Sequence, residues 1–436
     1  MRHLPIPSAE LQAHSQQLCE LVQQKIAESG GWITFAAFMR MALYTPHLGY
    51  YSGGVQKFGK GGDFVTAPEI SPLFAQTLAR QASQILAASG GDILEPNILE
   101  LGAGTGKLAA DLLLELQVLN ALPTHYFILE VSDHLRQIQR ETLQKKLAQD
   151  LLETVVWLEQ LPDNFAGLIL ANEVLDALPI HLVYKNNDAL CERGVAFTQQ
   201  TDKPGDFIWQ DKPLLQGELF DLASAQHLSN NYLTEFCLST TGLVNSLLDS
   251  LKQGAILLID YGFGAREYYH ADRNRGTLMC HFQHYAHDNP LINIGLQDIT
   301  AHVNFSQIAL ACEAHGISLA GYVSQAQFLI NCGMLNILAQ HSPDSPQYMQ
   351  LAAAAQKLLS PAEMGDLFKV IAFSKKLDAP LIGFASGDKS HTLWIFILHY
   401  HSEHREQSSL SCWTWFSISI FDRDSVSSTE WHWGRL

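Results

Sequence analysis

The first ninety residues carry helical patterns of hydrophobic positions, interrupted by one glycine-rich stretch. Leucine, valine and isoleucine recur along one face of residues 8–29 and two glycines follow, which predicts a helix that ends at the glycines. A second short helix is expected over 33–43, and a third from about 71 to 88. Between these two, residues 49–69 are loop-like and rich in glycine. A long loop of this kind inside a compact domain is usually functional or mobile.

From residue 97 onward, short apolar runs alternate with helical segments. The apolar runs predict five strands, at 97–101, 126–131, 155–158, 167–171 and 255–259. The helical segments among them are 108–118, 134–149 and 231–251. Two later runs, 317–323 and 368–373, could add a terminal antiparallel pair. Such alternation predicts an α/β fold whose mostly parallel sheet is covered by helices on both faces.

The remaining stretches divide the chain into regions. We expect an N-terminal helical and lid region over 1–90 and a core over 91–390, with insertions at about 180–230 and 265–305. The first insertion is less regular in its pattern. Residues 394–436 differ from the rest, because they hold five of the eight tryptophans and nine serines without a helical period. We therefore expect them to form a separate C-terminal appendage.

Composition narrows the class of protein. The 436 residues include 27 basic and 44 acidic side chains, a formal charge of −17, which disfavours general binding to nucleic acid. No run of 18 apolar residues occurs, so we expect no membrane span. The N-terminus has no apolar secretory segment, and the seven cysteines are scattered without a CxxC pair. These features predict a cytoplasmic protein with reduced thiols.

Residues 99–107, LELGAGTGK, run from a strand through glycines into a helix. Glycines at such a turn let the backbone approach a ligand, and a helix N-terminus favours negative charge. A P-loop would need glycine at Leu101 and a hydroxyl residue at Leu108, so nucleoside triphosphate is disfavoured. A dinucleotide fingerprint counted from the first glycine would need glycine at Lys107.

What remains is a GxGxG turn made by Gly102, Gly104 and Gly106 and preceded by the acidic Glu100. That spacing is typical of S-adenosylmethionine (SAM) methyltransferases. An acidic residue should end the next strand and accept both ribose hydroxyls, and Glu130 stands there. The alternative is a purely structural turn between a strand and a helix.

The fourth strand leads into Asn172, Glu173 and Asp176. Ligands of open α/β sheets lie beyond the carboxyl ends of the strands, so these side chains should face the transferred methyl group. Acidic groups suit a cationic nucleophile such as guanidinium, which carboxylates can orient while they spread its charge. The alternative is that Asn172 or Asp176 is only a helix N-cap.

Several further strings resemble the MidA-like methyltransferases, a family that includes a mitochondrial complex I assembly protein arginine methyltransferase. The resemblance covers about residues 10–390 and rests on 58–71 (FGKGGDFVTAPEIS), 100–106, 172–179 (NEVLDALP), 260–262 (DYG), 276–278 (GTL), 297–303 (QDITAHV) and 381–384 (LIGF). The sequence departs from the family pattern where His281 replaces an expected aromatic residue and Gln283 an expected basic one.

The resemblance implies a Rossmann-like class I SAM methyltransferase fold with a seven-stranded sheet, SAM as cofactor, and a protein substrate. The glycine-rich segment would then act as a lid in which Asp63, Thr66 and Glu69 contact cofactor or substrate. Its alternative is an ordered loop whose Asp and Thr cap the next helix. Asp298 could face the pocket or cap a helix, and the histidine string 281–287 is not expected to bind metal.

The leading functional hypothesis is methyl transfer from SAM to a protein arginine side chain in a basic segment, with a link to respiratory complex assembly. Glu173 and Asp176 would orient and polarise the guanidinium. The second hypothesis is a SAM-binding assembly factor or chaperone with little or no catalytic activity. A nicotinamide oxidoreductase is disfavoured by Lys107. We expect neither a metal nor a nucleic acid partner, and a homodimer is compatible with the sequence.

Overall fold

The structure, a computed structural model, describes residues 4–53, 66–90, 95–187, 189–200 and 203–393. Its helices are α1 (Ala9–Glu28), α2 (Phe35–Tyr44), α3 (Ala67–Ile70), α4 (Pro72–Ser89), α5 (Lys107–Val118), α6 (Asp133–Lys146), α7 (Gln149–Leu152), α8 (Glu218–Ser224), α9 (Leu238–Ser250), α10 (Ala265–Tyr268), α11 (Phe305–Ala314), α12 (Gln325–Asn331), α13 (Met334–Leu338) and α14 (Pro346–Leu359). Short 3-10 helices occur at Ala271–Arg273, Ile382–Phe384 and Ser390–Leu393.

The strands are β1 (Trp32–Thr34), β2 (Asn97–Leu101), β3 (Tyr126–Leu129), β4 (Val155–Leu158), β5 (Phe165–Asn172), β6 (His181–Asn186), β7 (Ala189–Gln200), β8 (Lys203–Pro213), β9 (Tyr232–Phe236), β10 (Leu251–Phe263), β11 (Met279–Phe282), β12 (Tyr285–His287), β13 (Asp298–Thr300), β14 (Val303–Asn304), β15 (Ser318–Ser324) and β16 (Phe368–Lys375).

A mostly parallel sheet forms the centre of the protein. Seven of its strands follow the order β15-β16-β10-β5-β2-β3-β4, and β14 adds to the end of β10. Only β16 runs antiparallel to its neighbours on this path, β10 and β15. The predicted seven-stranded Rossmann-like sheet and its terminal antiparallel pair are therefore confirmed. Because β2 lies between β3 and β5, the ends of those three strands form one edge.

The apolar runs form these strands because helices cover both faces of the sheet. Along β5, every residue from Phe165 to Ala171 is buried. The helix α4 begins at Pro72, where the Ser71 hydroxyl accepts a 3.1 Å hydrogen bond from the Leu73 amide. The apolar faces of α4 and α5 share one core with the central strands, which includes Leu78, Leu112, Leu168 and Leu257.

A second sheet lies beside the N-terminal helices. Its strands are antiparallel, in the order β1-β7-β6-β9, with β8 paired to the outer side of β7. Its core includes Leu18, Val22, Phe35, Phe38 and Val195. A third, three-stranded sheet in the order β12-β11-β13 completes the fold.

Two predicted helices contain strands, and the insertion at about 180–230 is more regular than expected. The segment 33–43 starts as β1, which pairs with β7, before α2 begins. The segment 231–251 starts as β9, which pairs with β6, before α9 begins. In each case pairing with a strand distant in sequence overrides the local helical pattern. The insertion itself supplies β6, β7 and β8.

All described residues belong to one compact unit. The tryptophan-rich segment 394–436 lies outside the described residues, so the expectation of a separate appendage stays a prediction. Within the described part of the chain, no helix is long and apolar enough to cross a membrane. The cysteines described by the structure are free.

Candidate functional site

The glycine turn links the end of β2 to α5 and leaves a face of the backbone open. Gly102, Gly104 and Gly106 have φ angles of 61°, 53° and 79°. This left-handed region is strained for residues with a side chain. A Cβ atom added to Gly104 would meet nothing within 4 Å. At the start of α5 the N-cap residue is Gly106, and the Lys107 amide donates a 3.3 Å hydrogen bond to Thr105 Oγ1. The turn therefore presents backbone groups that a ligand can reach.

Glu130 follows β3 and is held at the edge of this turn. Its Oε1 atom accepts a 2.9 Å hydrogen bond from the Ser132 amide, and its Oε2 atom accepts a 3.0 Å bond from Gln139 Nε2. Burial raises the pKa of the Glu130 carboxyl, and these two hydrogen bonds lower it. The Val131 amide is a third hydrogen-bond donor to this carboxylate. A carboxylate has about four lone-pair sites, so Glu130 can still accept from the ribose.

Gln139 on α6 is a site residue that the sequence reasoning missed. Its Nε2 atom also donates to Gly104 O at 3.1 Å, and its Oε1 atom accepts a 2.9 Å bond from Trp157 Nε1. The side chain is fully buried and thus ties the glycine turn to Glu130. A signal was present, because Gln139 is a polar residue within the buried stripe of α6 between Leu135 and Leu143.

Glu100 lies on β2, one residue before the strand ends. Its Oε2 atom accepts a 2.8 Å hydrogen bond from the Tyr126 hydroxyl on the neighbouring β3. Burial raises the pKa of the Glu100 carboxyl to about 7. The structure thus places Glu100 beneath the glycine turn, bonded to a strand neighbour, and its predicted cofactor contact stays a prediction.

The segment after the glycine-rich loop is docked on the same turn. Glu69 in α3 accepts a 2.6 Å hydrogen bond from the Thr105 hydroxyl, and Lys107 Nζ donates to Pro68 O at 2.7 Å. Thr66 precedes α3, and its side chain makes no cap hydrogen bond. The alternative that Thr66 caps the helix after Ser71 is therefore wrong, because Ser71 caps that helix itself. The predicted Asp63 contact lies outside the described residues.

Asn172, Glu173 and Asp176 meet beyond the end of β5. Asn172 Nδ2 donates a 3.1 Å hydrogen bond to Glu173 Oε1, and the Ala67 amide also donates to the Glu173 carboxylate. A Cβ atom on Gly102 would lie 3.0 Å from Val174, so this loop borders the glycine turn. The N-cap alternative is wrong, because within the described chain β5 continues through a loop to β6 without a helix.

Asp176 is enclosed and has one oxygen in use. Its Oδ2 atom accepts a 2.5 Å hydrogen bond from the Tyr261 hydroxyl. Its Oδ1 atom is buried and has no hydrogen-bond partner among the described residues. The Leu175 and Asp176 amides donate to Asp260 Oδ2, at 2.9 and 3.3 Å. Asp260, on β10, therefore fixes the loop backbone and leaves Asp176 Oδ1 free to bind a ligand.

Glu173 and Asp176 on this loop lie close to Asp260 on β10, so the charge of one carboxyl raises the pKa of another. Burial, followed by the nearby charge of Asp176, raises the pKa of Glu173 to about 8. Burial also raises the pKa of Asp176 to about 6, and it raises that of Asp260 well above its ordinary range. A cationic ligand would relieve the repulsion that these groups experience when ionised.

Glu173 also has a strained backbone. Its φ angle is 53°, in the left-handed region that residues with a Cβ atom rarely adopt. The Glu173 amide donates a 2.9 Å hydrogen bond to Ile259 O of β10, which holds this conformation. Strain of this kind is common at functional sites, where the surrounding structure enforces it. The carboxyl of Glu173 is thus held next to Asn172 at the strand ends.

Two tyrosines from the N-terminal region line the acidic cluster of Glu173, Asp176, Asp260 and Asp298. The rings of Tyr44 and Tyr51 stack with centroids 5.6 Å apart. The Tyr51 hydroxyl donates to Asp298 Oδ1 at 2.8 Å, and Ser132 Oγ donates to Tyr51 O at 2.7 Å. Tyr51 therefore links Ser132, which binds Glu130, to Asp298 in the acidic cluster. Asp298 lies in β13, so its predicted alternative as a helix N-cap is wrong.

The GTL string has a structural explanation. Glu235 Oε1 accepts hydrogen bonds from the amides of Thr277 and Leu278, at 2.6 and 3.0 Å. Gly276 has a φ angle of 74°, and a Cβ atom there would collide with the Glu235 carboxylate. The string thus wraps a buried carboxylate and fixes the chain between α10 and β11.

The histidine string 281–287 spans the β11–β12 hairpin. Burial lowers the pKa of both His281 and His287. Across the described residues, no group of three or more His, Cys, Asp or Glu side chains is arranged to hold a metal ion. Gln283 and His284, at the turn of this hairpin, have positive φ angles. The departures from the family pattern therefore fall on the hairpin, outside the glycine turn. His281 lies opposite Asp298 of the acidic cluster in the pairing of β11 with β13.

Comparison with known proteins agrees with this geometry. Residues 77–323 match a family model described as "Putative S-adenosyl-L-methionine-dependent methyltransferase". The mitochondrial protein arginine methyltransferase NDUFAF7 of Danio rerio is 30% identical over 368 residues, 78% of this chain and 82% of that protein. Its Caenorhabditis elegans homologue is 29% identical over 394 residues, 84% of this chain and 88% of that protein.

A solved structure extends the similarity to three dimensions. A Burkholderia thailandensis protein, crystallised with S-adenosyl-homocysteine bound, is 47% identical and superimposes with a TM-score of 0.85. The match covers 90% of this chain and 100% of that one. A second crystal structure from the same organism is 46% identical, with a TM-score of 0.82.

Proposed function

Because this chain belongs to the family of S-adenosyl-L-methionine-dependent methyltransferases, we propose that it methylates an arginine side chain of a protein. SAM, expected from the glycine turn, is the cofactor of this family, and its product S-adenosyl-homocysteine occupies the Burkholderia relative. The residues described here fit that cofactor. The open space at Gly104 would let SAM lie against the backbone of the glycine turn. Glu130 would accept hydrogen bonds from the ribose hydroxyls of SAM.

The observation that carries the proposal is the Oδ1 atom of Asp176, which is buried and has no partner in the described part of the chain. Asp176 shares with the nearby Glu173 carboxyl a loop that borders the glycine turn. SAM supplies a methyl group on a sulfonium, which an electron-rich nitrogen can accept. Glu173 would hold the guanidinium of the target, and Asp176 Oδ1 would receive the proton that the nitrogen loses. Carboxylates match the planar donor array of arginine better than they match a single ammonium group.

Two further observations support a cationic protein side chain as the acceptor. Tyr44 and Tyr51 present aromatic rings beside the acidic cluster, and such rings attract cations. The NDUFAF7 relatives are named protein arginine methyltransferases. The family resemblance extends the proposal to a target among proteins of respiratory complexes. A basic segment around the target would complement the net charge of −17.

The test uses methyl-labelled SAM and matched peptides. The wild-type protein is incubated with a basic peptide that contains one arginine, and with the same peptide carrying lysine or citrulline in its place. We expect label in the arginine peptide alone, and mass spectrometry should place the added methyl on the guanidinium. Label in the lysine peptide would refute arginine specificity. Tight SAM binding without transfer to any peptide or extract protein would favour the assembly-factor hypothesis.

A further inference from the structure

The two oxygens of Asp176 have different surroundings, and Tyr261 makes the difference. The Tyr261 hydroxyl donates a 2.5 Å hydrogen bond to Oδ2, whereas Oδ1 has no partner among the described residues. The Asp176 side chain is 6% exposed. A buried carboxylate oxygen without a donor costs free energy unless a ligand supplies one. The hydrogen bond therefore selects which oxygen remains available.

Tyr261 is itself held in place from three sides. Its amide donates to Asp260 Oδ1 at 2.9 Å. Its ring meets His302, ahead of β14, at a centroid distance of 5.3 Å, and Phe368, on β16, at the same distance. Both contacts are edge-to-face arrangements, which favour one orientation of the ring. The hydroxyl is thus fixed by one neighbour on β16 and one in the short link between β13 and β14.

Building on the proposed function, we propose that Tyr261 is a positioning residue that holds Asp176 so that Oδ1 faces the acceptor nitrogen and receives its proton. In the transfer step the nitrogen gains the methyl carbon, the electron pair of the broken carbon–sulfur bond stays on sulfur, and one N–H proton passes to Oδ1. Tyr261 keeps its own proton throughout and acts only through Asp176.

The proposal has a consequence for the pH dependence. Burial raises the pKa of Asp176 to about 6, whereas the Tyr261 hydroxyl and, to a smaller extent, the amides of Ala177 and Asp176 lower it. Removal of that hydroxyl should therefore move the pKa of Asp176 upward, by about one unit for a hydrogen bond to a charged group. The other titratable groups that face Asp176 remain in both proteins, and they are Tyr44, Tyr51, Glu173 and Asp260. Asp298, which faces Tyr44, Tyr51 and Glu173, also remains.

The experiment compares pH profiles of kcat/KM for an arginine peptide in the wild type, Tyr261→Phe and Tyr232→Phe. Tyr232 is a matched control, since its buried side chain donates one hydrogen bond to His270 O, away from the acidic cluster. For Tyr261→Phe we expect the acidic limb to move up by about one pH unit. Its activity deficit should be about fivefold at pH 6, approach about tenfold below pH 5 and shrink by pH 9, while SAM affinity stays within about twofold.

A uniform loss across the pH range, or an unmoved acidic limb, would overturn the proposal. Incorporation of 3,5-difluorotyrosine at position 261 keeps the shape of the ring and strengthens the donor, so the limb should move to lower pH. This isosteric variant decides the question even if Tyr261→Phe folds poorly. Shifts of both variants in the same direction would also contradict the proposed positioning.

A substrate-free measurement separates this proposal from the proposed function. The carbon-13 shift of the Asp176 carboxyl, assigned with Asp176→Asn, reports its pKa in the SAM-free protein. One outcome is that the pKa rises in Tyr261→Phe while no arginine peptide is methylated. In that case arginine is not the substrate, but the proposal that Tyr261 positions Asp176 is supported. If arginine is methylated and the pKa does not move, only the role of Tyr261 fails.

Discussion

The Thr105 hydroxyl in the glycine turn donates a 2.6 Å hydrogen bond to Glu69 in α3. The two residues lie in the two sequence strings that point most directly to the cofactor and to the family. Lys107 adds a second link, through Pro68 O. The Ala67 amide continues the chain of contacts to Glu173. The short helix α3 therefore joins the glycine turn to the acidic loop.

A double-mutant cycle should show that this hydrogen bond supports SAM binding. We expect Thr105→Val and Glu69→Gln each to weaken SAM affinity several-fold, and the double variant to be little worse than either single one. The coupling free energy should be about 1 kcal/mol, because the bond joins a hydroxyl to a carboxylate. Titration calorimetry measures it, with the exposed Glu95→Gln as control. Strictly additive effects would show that the contact does not act on the cofactor site.

Gln139→Leu should weaken SAM binding by about tenfold or more. The substitution removes the bonds from Gln139 to Gly104 O and to Glu130, so the carboxylate would no longer be fixed against the turn. Gln137→Leu, two residues earlier on the exposed side of α6, is the matched control and should bind SAM normally. Equal affinity of the two variants in equilibrium binding would contradict a role for Gln139.

Binding of an arginine peptide near pH 7 should release a proton. The pKa of Glu173 is raised to about 8, so its carboxyl is largely protonated at pH 7 in the free protein. A guanidinium beside it favours the ionised form and lowers this pKa. Titration calorimetry in two buffers of different ionisation enthalpy counts the proton. At pH 9.5 Glu173 is already ionised, and the release should vanish.

The controls for proton release are a citrulline peptide and Glu173→Gln. Neither pairs a guanidinium with the Glu173 carboxyl, so neither should release that proton. A proton count that is the same at pH 7 and pH 9.5, or unchanged in Glu173→Gln, would place the guanidinium elsewhere.

Glu173→Gln should stabilise the fold at alkaline pH. Since the folded-state pKa of Glu173 lies above its unfolded value, the native state binds more protons than the unfolded state between about pH 5 and pH 8. The free energy of unfolding therefore falls as pH rises through this window. The variant lacks this loss and should be more stable than wild type by about 4 kcal/mol at pH 8, with no gain below pH 4.

Denaturant unfolding at pH 4 and pH 8 measures this difference. Glu95→Gln, at an exposed position, should leave the stability unchanged at both values. A gain of equal size at the two pH values would point to packing and not to the cost of ionising Glu173.

The sequence predicted the parts of the site that depend on local geometry or on strand order. The turn at Gly102, Gly104 and Gly106 is a local backbone feature, and all three residues have the positive φ angles that glycine allows. The approach of Glu130 and Glu173 to this turn follows from strand order, because β3 and β5 flank β2. Rules for parallel sheets suffice for both.

The contacts that complete the site could not be predicted, since they depend on packing between distant segments. Tyr51 meets Asp298 across 247 positions of sequence, and Tyr261 meets Asp176 across 85. No periodicity encodes such pairs. The helix predicted over 231–251 was wrong at its start for the same reason, because pairing of Tyr232–Phe236 with β6 decides its structure. Gln139 alone left a visible signal, as a polar residue in an apolar stripe.

The central claim is that the acidic cluster performs the transfer chemistry beside a separately held SAM. The most direct test measures turnover and SAM affinity together in Glu173→Gln, with labelled SAM and an arginine peptide. We predict that the dissociation constant for SAM changes by less than about threefold, while turnover falls by about a hundredfold or more. Unchanged turnover, or a loss of SAM affinity that accounts for the whole decrease, would contradict the claim.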